Sequence, residues 1–346
     1  KKLFRKTKTK WFDLLKDFNF NPIPSQLSFR ADVQRQFGAI RPRSVGASKY
    51  SIPETYDKYF TFQRDYVMRW DLTKSINFDF TATNNSRIDE PAGRLDTKAK
   101  KDTVRKNFLT GGRNTIYNQS VNFTYALPTA KFPLLDWTSA NVNYRTTYRW
   151  IGASRLAVEL GNILENGQQK EATAQFDFTR LYSKSKWLRQ LDAPSNIEDR
   201  EKWRNRITKV KDSVTLKSGK KVLRTRKIVD RTALPYVGGF SKFFGKLLTS
   251  VKQANFSISE NFKSMAPGFD FIFGGQPDTG WLNRAATKNL ITKDTTFNSL
   301  FVQNFDQTMT LSAQLEPIRD LIINVNLRKT FNKNYSETFR YVDTSR

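Results

Sequence analysis

From Thr138 to Trp150 the chain alternates without a break. Thr138, Ala140, Val142, Tyr144, Thr146, Tyr148 and Trp150 fall on one phase, and Ser139, Asn141, Asn143, Arg145, Thr147 and Arg149 on the other. Successive side chains of a strand point to opposite faces, so this period of two makes a strand with one apolar, aromatic face and one hydrophilic face. Its length is the constraint. Strands of soluble domains run about five or six residues, whereas a tilted strand needs about nine to eleven to cross the hydrocarbon of a bilayer.

The same pattern recurs along the chain. Apolar phases start at Leu27 (Leu27, Phe29, Ala31, Val33, Phe37), Phe60 (Phe60, Phe62, Tyr66, Met68, Trp70), Ile76 (Ile76, Phe78, Phe80, Ala82) and Tyr117 (Tyr117, Val121, Phe123, Tyr125). After the 138–150 strand they resume at Ala172 (Ala172, Ala174, Phe176, Phe178, Tyr182), Ala254 (Ala254, Phe256, Ile258, Phe262), Phe301 (Phe301, Phe305, Met309, Leu311) and Leu321 (Leu321, Ile323, Val325, Leu327, Phe331). Nine strands are therefore expected. Short turns lie at "DLTK", "PTAKFPLLD" and "EPIRD", and long polar excursions follow Asn84, Trp150, Tyr182 and Met265. Short turns on one side and long loops on the other are the wiring of outer-membrane barrels.

These features predict an all-β fold: an antiparallel transmembrane β-barrel wall with long extramembrane loops. The expected organisation is an N-terminal segment (1–26), barrel strands with loops (27–183), a basic extramembrane excursion (184–252) and further barrel strands (253–346). Arg35, Arg64, Lys74, Arg180, Glu260 and Lys329 interrupt the apolar phases. A cation facing lipid costs about 2–4 kcal/mol at the bilayer midplane, so these positions should lie at the edges of the membrane band or face protein. Trp70, Trp137, Trp150, Tyr148 and Tyr182 stand near expected strand ends, where aromatic girdles sit at headgroup level.

Composition narrows the function classes. Only 38% of the 346 residues are hydrophobic, yet 14% are aromatic, and no segment is apolar for long enough to make a transmembrane helix. The opening "KKLFRKTKTKWFDLLKDFNF" is not a secretory signal, having no apolar core followed by a small-residue cleavage site, and the missing initiator Met points to a mature product or an internal piece of a longer chain. The absence of His and Cys removes disulfides, His and Cys metal ligands, imidazole acid–base chemistry and the Ser-His-Asp and Cys-His nucleophile systems. No cofactor is expected, and an enzyme ranks last.

The net charge of +27 is concentrated in the excursion after Tyr182, where Lys209, Lys211, Lys217, Lys220, Lys221, Arg224, Arg226 and Lys227 fall within nineteen residues. Such a run is a solvated loop or a site for an anionic partner. "VTLKSGKKVLRTRKIV" reads as a hairpin with Ser218 and Gly219 in its turn. No RNA-binding signature or zinc spacing accompanies it, which disfavours nucleic acid. "LTGGRN" and "FGGQPDTGW" read as loops, and no phosphate-cradling motif is present. The carboxylate pairs Asp89–Glu90 and Glu198–Glu201 read as loop solvation.

The run "LPTAKFPLLDWTSANVNYRTTYRW…LGNILEN…FDFTRLYSKSKWLRQL" resembles the SprA family, the outer-membrane translocon of bacterial type IX secretion and gliding motility. The resemblance rests on Pro128, Pro133, Asp136 and Trp137 in a turn-and-strand motif, on Gly161, Asn162 and Asn166, on Leu181, Tyr182 and Lys184, and on Pro267, Gly268 and Phe269. It implies that the chain is part of a protein-conducting channel in the bacterial outer membrane at the cell surface, exporting folded proteins. Its implied partners are the remainder of the same large barrel, lipid and lipopolysaccharide, pore-plugging and cargo-shuttle outer-membrane proteins, other type IX secretion components and secreted protein cargo. On this expectation Asn141, Asn143, Arg145 and Arg149 line the lumen, and Val142, Tyr144, Tyr148 and Trp150 meet lipid or its interface. A self-contained porin or nutrient transporter, and a soluble β-rich anion-binding protein, are the alternatives.

Overall fold

The computed structural model describes residues 19–43, 52–192, 197–215, 221–230, 237–264, 269–278, 280–288, 290–292, 299–318 and 320–339. All nine expected strands are present and form one antiparallel sheet. In chain order the strands are β1 (Gln26–Ile40), β2 (Thr55–Asp71), β3 (Ile76–Arg87), β4 (Arg113–Leu127), β5 (Thr138–Ile151), β6 (Ile163–Asp177), β7 (Ile207–Thr215), β8 (Lys221–Val229), β9 (Val251–Ser264), β10 (Ser299–Ile318) and β11 (Leu321–Phe339). The sheet order is β1-β2-β3-β4-β5-β6-β9-β10-β11, a meander interrupted by a separate β7–β8 hairpin. The hairpin falls where the sequence predicted it; its expected turn residues, Ser218 and Gly219, lie outside the described residues. Sheet strands run from 12 to 20 residues. Among the described residues β1 and β11 each pair on one side only, so the sheet is open at both edges.

The connections carry helices that strand periodicity could not reveal: α1 (Lys98–Leu109), α2 (Phe178–Ser183), α3 (Lys186–Asp192), α4 (Ile197–Arg204), α5 (Gly239–Leu248), α6 (Phe269–Ile272) and α7 (Trp281–Thr287). The apolar phase through Phe178 and Tyr182 predicted that β6 continues to Tyr182, but the strand stops at Asp177. There the Asp177 carboxylate accepts from the Arg180 N–H at 3.1 Å and caps α2. Arg180 therefore lies beyond the strand.

The side of departure of the basic excursion also differs from expectation. Because β6 and β9 are neighbours, the connection 178–250 must leave from the same end as the turns β2–β3, β4–β5 and β10–β11. Phe176 pairs with Thr138 at the start of β5, the Asp177 N–H donates to the Trp137 carbonyl at 2.8 Å, and the Glu316 N–H donates to the Ser250 carbonyl at 2.7 Å. The longest excursion thus shares an end with the three short turns. The connections β1–β2, β3–β4, β5–β6 and β9–β10 occupy the other end.

The β3–β4 connection is held by ion pairs. Asp89 and Glu90, read from sequence as solvating charges, are structural: Glu90 meets Arg35 at 2.7 Å and Lys58 at 3.8 Å with its side chain 4% exposed, and Asp89 meets Arg113 at 3.1 Å. Beside them Glu54 accepts from Arg94 at 2.6 Å and from the Tyr56 hydroxyl at 2.5 Å. The Arg94 bond first, and the Tyr56 bond second, hold the Glu54 carboxyl below the ordinary carboxylate range. A depressed carboxyl pKa stabilises at pH above the unfolded value and loses that contribution as pH falls through the folded one. The clasp should therefore persist at neutral pH and release only in acid. Amide hydrogen exchange over residues 94–97 should be faster in Glu54→Gln than in the unsubstituted chain at neutral pH, with the difference vanishing in acid. Equal protection at neutral pH would show that the clasp contributes nothing.

Candidate functional site: a two-faced sheet

The pairing register lines up side chains of one character across the whole sheet. Gln26, Arg69, Asp79, Asn122, Arg145, Gln169, Asn261, Asp306 and Asn332 form one transverse row, each paired with the next, with no apolar member in nine strands. The parallel row through Asn143 reads Asp71, Asn77, Thr124, Asn143, Glu171, Ser259, Thr308 and Thr330. Asn141, Asn143, Arg145 and Arg149 all lie on this polar face, with Arg149 3.5 Å from Glu165 on the next strand.

The polar face is also the inside of a curl. A cavity of about 640 Å³ is lined by Thr81, Asn118, Ser120, Thr147, Arg149, Glu165, Lys263 and Asn304, drawn from six successive strands of the sheet. Six neighbouring strands share this hollow, the arrangement formed by a sheet that curls toward its polar face.

The opposite face divides into two zones along the strand direction. Toward the short-turn end it is mostly apolar and exposed: Ile76, Tyr125, Val142, Ala172, Ile258 and Met309 make one row, which ends in Lys329 on β11, and Ala140, Ala174, Phe256, Leu311 and Leu327 the next. Val142, Phe256, Leu311 and Leu327 remain exposed. Toward the long-loop end the same face turns polar, with Gln119, Thr146, Asn166 and Gln168 among its residues, and here the chain covers itself.

Two connections provide the cover. In the β9–β10 connection, Phe271 meets the Tyr148 ring edge-on at 6.1 Å, and the Asn166 side-chain amide donates to the Phe271 and Gly275 carbonyls at 3.1 and 2.9 Å. The Tyr144 hydroxyl donates to the Phe273 carbonyl at 2.7 Å and accepts from Gln168 at 2.9 Å. Gly274 packs against Thr146, which is 1% exposed. In the β3–β4 connection, Phe108 of α1 stacks on Phe60 at 6.1 Å and packs on Phe62 at 5.4 Å, and Ile88 of the same connection is buried.

The assignment of Val142, Tyr144, Tyr148 and Trp150 to lipid is therefore refined. Val142 lies in the open apolar zone. Tyr144 and Tyr148 share its face but meet the chain's own β9–β10 connection, because their hydroxyl and ring edge find partners there. Trp150 is at the far end of β5, half-buried, with its ring against Gly152. Three of the charges that interrupted the phase are accommodated as expected of residues facing protein. Arg64 donates to Ser86 at 2.6 Å and Asn114 at 3.1 Å, Arg35 meets Glu90, and Glu260 accepts from Gln307 at 2.8 Å. Lys74 lies in the β2–β3 turn, but Lys329 departs from the expectation: it is exposed in the middle of β11, paired with Met309 in the row that runs through Val142.

The residues of the family-like motifs gather at two places. At the short-turn end, Pro128 precedes the 3-10 turn Thr129–Lys131, and the Trp137 ring lies 5.8 Å from Phe176 and 5.3 Å from Phe178, which in turn contacts Tyr182 at 6.1 Å. Lys184 ion-pairs with Asp136 and donates to the Pro133 carbonyl at 2.6 Å, and the Leu181 carbonyl accepts from the Lys184 N–H at 3.2 Å. This knot ties the start of the excursion to the β4–β5 turn. At the other end Gly161, at φ +78°, and Asn162, whose side-chain oxygen accepts from the Ala153 N–H at 2.9 Å, close the β5–β6 loop. Pro267 and Gly268 lie outside the described residues, and Phe269 opens α6.

Asn166 and Gln168 lie in the first half of β6, ahead of the Ala172 phase that marked this strand in the sequence, so their role in seating the cover was not legible. Phe271 and Gly274 gave no signal either, because they lie in a loop. No protein-family model matches the chain, and a search of curated proteins finds no match either.

Proposed function

We propose that this chain is one arc of the wall of a large protein-conducting barrel in the bacterial outer membrane, a channel of the type IX secretion and gliding kind that its motifs resemble. The observation that supports this most is the open nine-stranded meander whose concave face is polar in every strand while the convex face carries an apolar zone. A wide barrel needs a hydrated lumen, lipid outside and strands longer than the hydrocarbon is thick. The rows through Asn143 and Arg145 supply hydrogen-bonding capacity for water and offer passing protein no apolar grip, so transport through such a wall requires no catalytic residue. The unpaired edges of β1 and β11 are then joined to the remaining wall, because backbone N–H and C=O groups in a bilayer must all be satisfied. Lipid, the rest of the barrel, plugging and shuttle proteins, other secretion components and cargo are the partners this reading implies.

The test is a cryo-EM map of the detergent-extracted native assembly. On this reading β1 and β11 each pair with a strand from outside residues 19–339, and Asn143 and Arg145 point inward. A sheet that closes β11 onto β1 overturns the arc in favour of a small self-contained transporter. A sheet lying outside the detergent belt overturns membrane insertion altogether.

A further inference from the structure

Helix α5, Gly239–Leu248, is built inside out. At 3.6 residues per turn its Phe243, Leu247, Phe240, Phe244 and Leu248 fall within an arc of about 140°, and in a globular protein such an arc turns toward the core. Here all five are between 48% and 81% exposed, while Lys242 and Lys246, off the arc, are half-buried. The side that docks is the glycine side. Gly245 lies against the fully buried Leu191 of α3, so closely that a Cβ there would come within 2.5 Å of the leucine Cδ2.

The helix is also pinned. The Thr249 hydroxyl and N–H both donate to the Gly245 carbonyl, and the Ser250 carbonyl accepts from the Glu316 N–H at 2.7 Å, one residue before β9 starts. Its apolar arc is thus held at the short-turn rim of the sheet, where Leu134, Ile318 and Ile322 are exposed as well. That rim borders the uncovered apolar zone of the convex face.

We propose that α5 is an interfacial anchor: its Phe and Leu arc sits among the acyl chains at the surface of an anionic phospholipid bilayer, with Lys242 and Lys246 at headgroup level. An apolar arc of large rings with Lys246 at its border and Lys242 on the far side is a composition that binds such a surface, through apolar burial together with attraction to anionic lipid. Continuity with the apolar zone selects a bilayer over a protein as the occupant. The inference rests on the reading of the convex face as lipid-facing.

Because the chain contains no Cys, single labels can be placed cleanly. An environment-sensitive fluorophore is attached through Phe240→Cys, Lys242→Cys or Val142→Cys in the full chain, in vesicles of phosphatidylethanolamine with phosphatidylglycerol. Lipid-borne and aqueous quenchers then report the surroundings of each label. The expected result is lipid quenching at position 240 but not at 242, weakened when phosphatidylcholine replaces phosphatidylglycerol, together with lipid quenching at 142. Quenching at 142 with position 240 reached only by the aqueous quencher, or shielded from both, overturns the anchor and leaves the wall reading standing; shielding from both assigns the helix face to a protein or a second copy. Lipid quenching at 240 without quenching at 142 upholds the anchor and sinks the wall.

Discussion

On the proposed membrane-wall reading, Val142→Arg should destabilise the protein in a bilayer by about 2–4 kcal/mol, while Asn143→Arg, one residue along, should change stability by no more than about 0.5 kcal/mol. Val142 lies in the middle of an apolar row running from Ile76 to Met309, and Asn143 in a row polar from Asp71 to Thr330. In a soluble sheet the first substitution would be nearly harmless, since Val142 is already 40% exposed to its surroundings and an added cation at such a site needs only water. The contrast between adjacent residues therefore reports the solvent on each face. Denaturant unfolding from vesicles, monitored by tryptophan emission, measures it. Equal effects at the two positions would remove the lipid from the convex face.

Gly274→Val should release the β9–β10 cover from the sheet, at an expected cost of about 2–5 kcal/mol from two sources. Gly274 has φ +86°, a conformation that a β-branched residue resists, and a Cβ there would meet the Thr146 Cγ2 at 2.8 Å and the Gln168 Cβ at 3.2 Å. Gly161→Val is the control, because Gly161 shares the positive φ but, among the described residues, has nothing within 4 Å of its Cβ position. Reaction of a thiol reagent with Thr146→Cys is the measurement. The position should be unreactive in an otherwise unchanged chain, reactive when combined with Gly274→Val, and still protected when combined with Gly161→Val. Equal protection in all three backgrounds would mean that the connection does not rely on this contact.

Release of the cover would matter because of what lies beneath it. Asn166 and Thr146 are polar residues on the face that elsewhere presents Phe256 and Leu311. Their burial under Phe271 and Gly274 gives Asn166 protein partners, which on the proposed membrane-wall reading a bilayer would not supply. The two covered regions near the long-loop end leave the apolar zone confined to the other half of the strands. Arg35, Arg64 and Glu260 fit the same logic, each meeting a polar partner within the protein.

The strands themselves were legible because period two is a local property. All nine in the sheet, and the β7–β8 hairpin, follow from alternation and length, and the polar assignment of Asn141, Asn143, Arg145 and Arg149 follows with them. Both ends of β6 differ from the phase: it starts at Ile163, where Asn166, Gln168 and Lys170 give no apolar alternation, and it stops at Asp177, where the cap turns the backbone into α2 although Phe178 and Tyr182 keep the phase. The side of the basic excursion was legible in principle. In a meander, connections alternate between ends, and counting them puts 178–250 with the short turns; loop length pointed the other way and was the weaker guide.

What the sequence by itself determined is the face each strand residue occupies, because backbone pleating alone separates odd from even. Which parts of a face are covered was decided only in the tertiary structure. Phe271 reaches Tyr148 across more than a hundred residues of chain, Glu90 reaches Arg35 across fifty-five, and Gly245 seats on Leu191 with the apolar side of α5 turned away. Such contacts depend on where loops return after leaving the sheet. No periodicity records that, since a loop closes through a few long-range partners rather than through a repeating pattern.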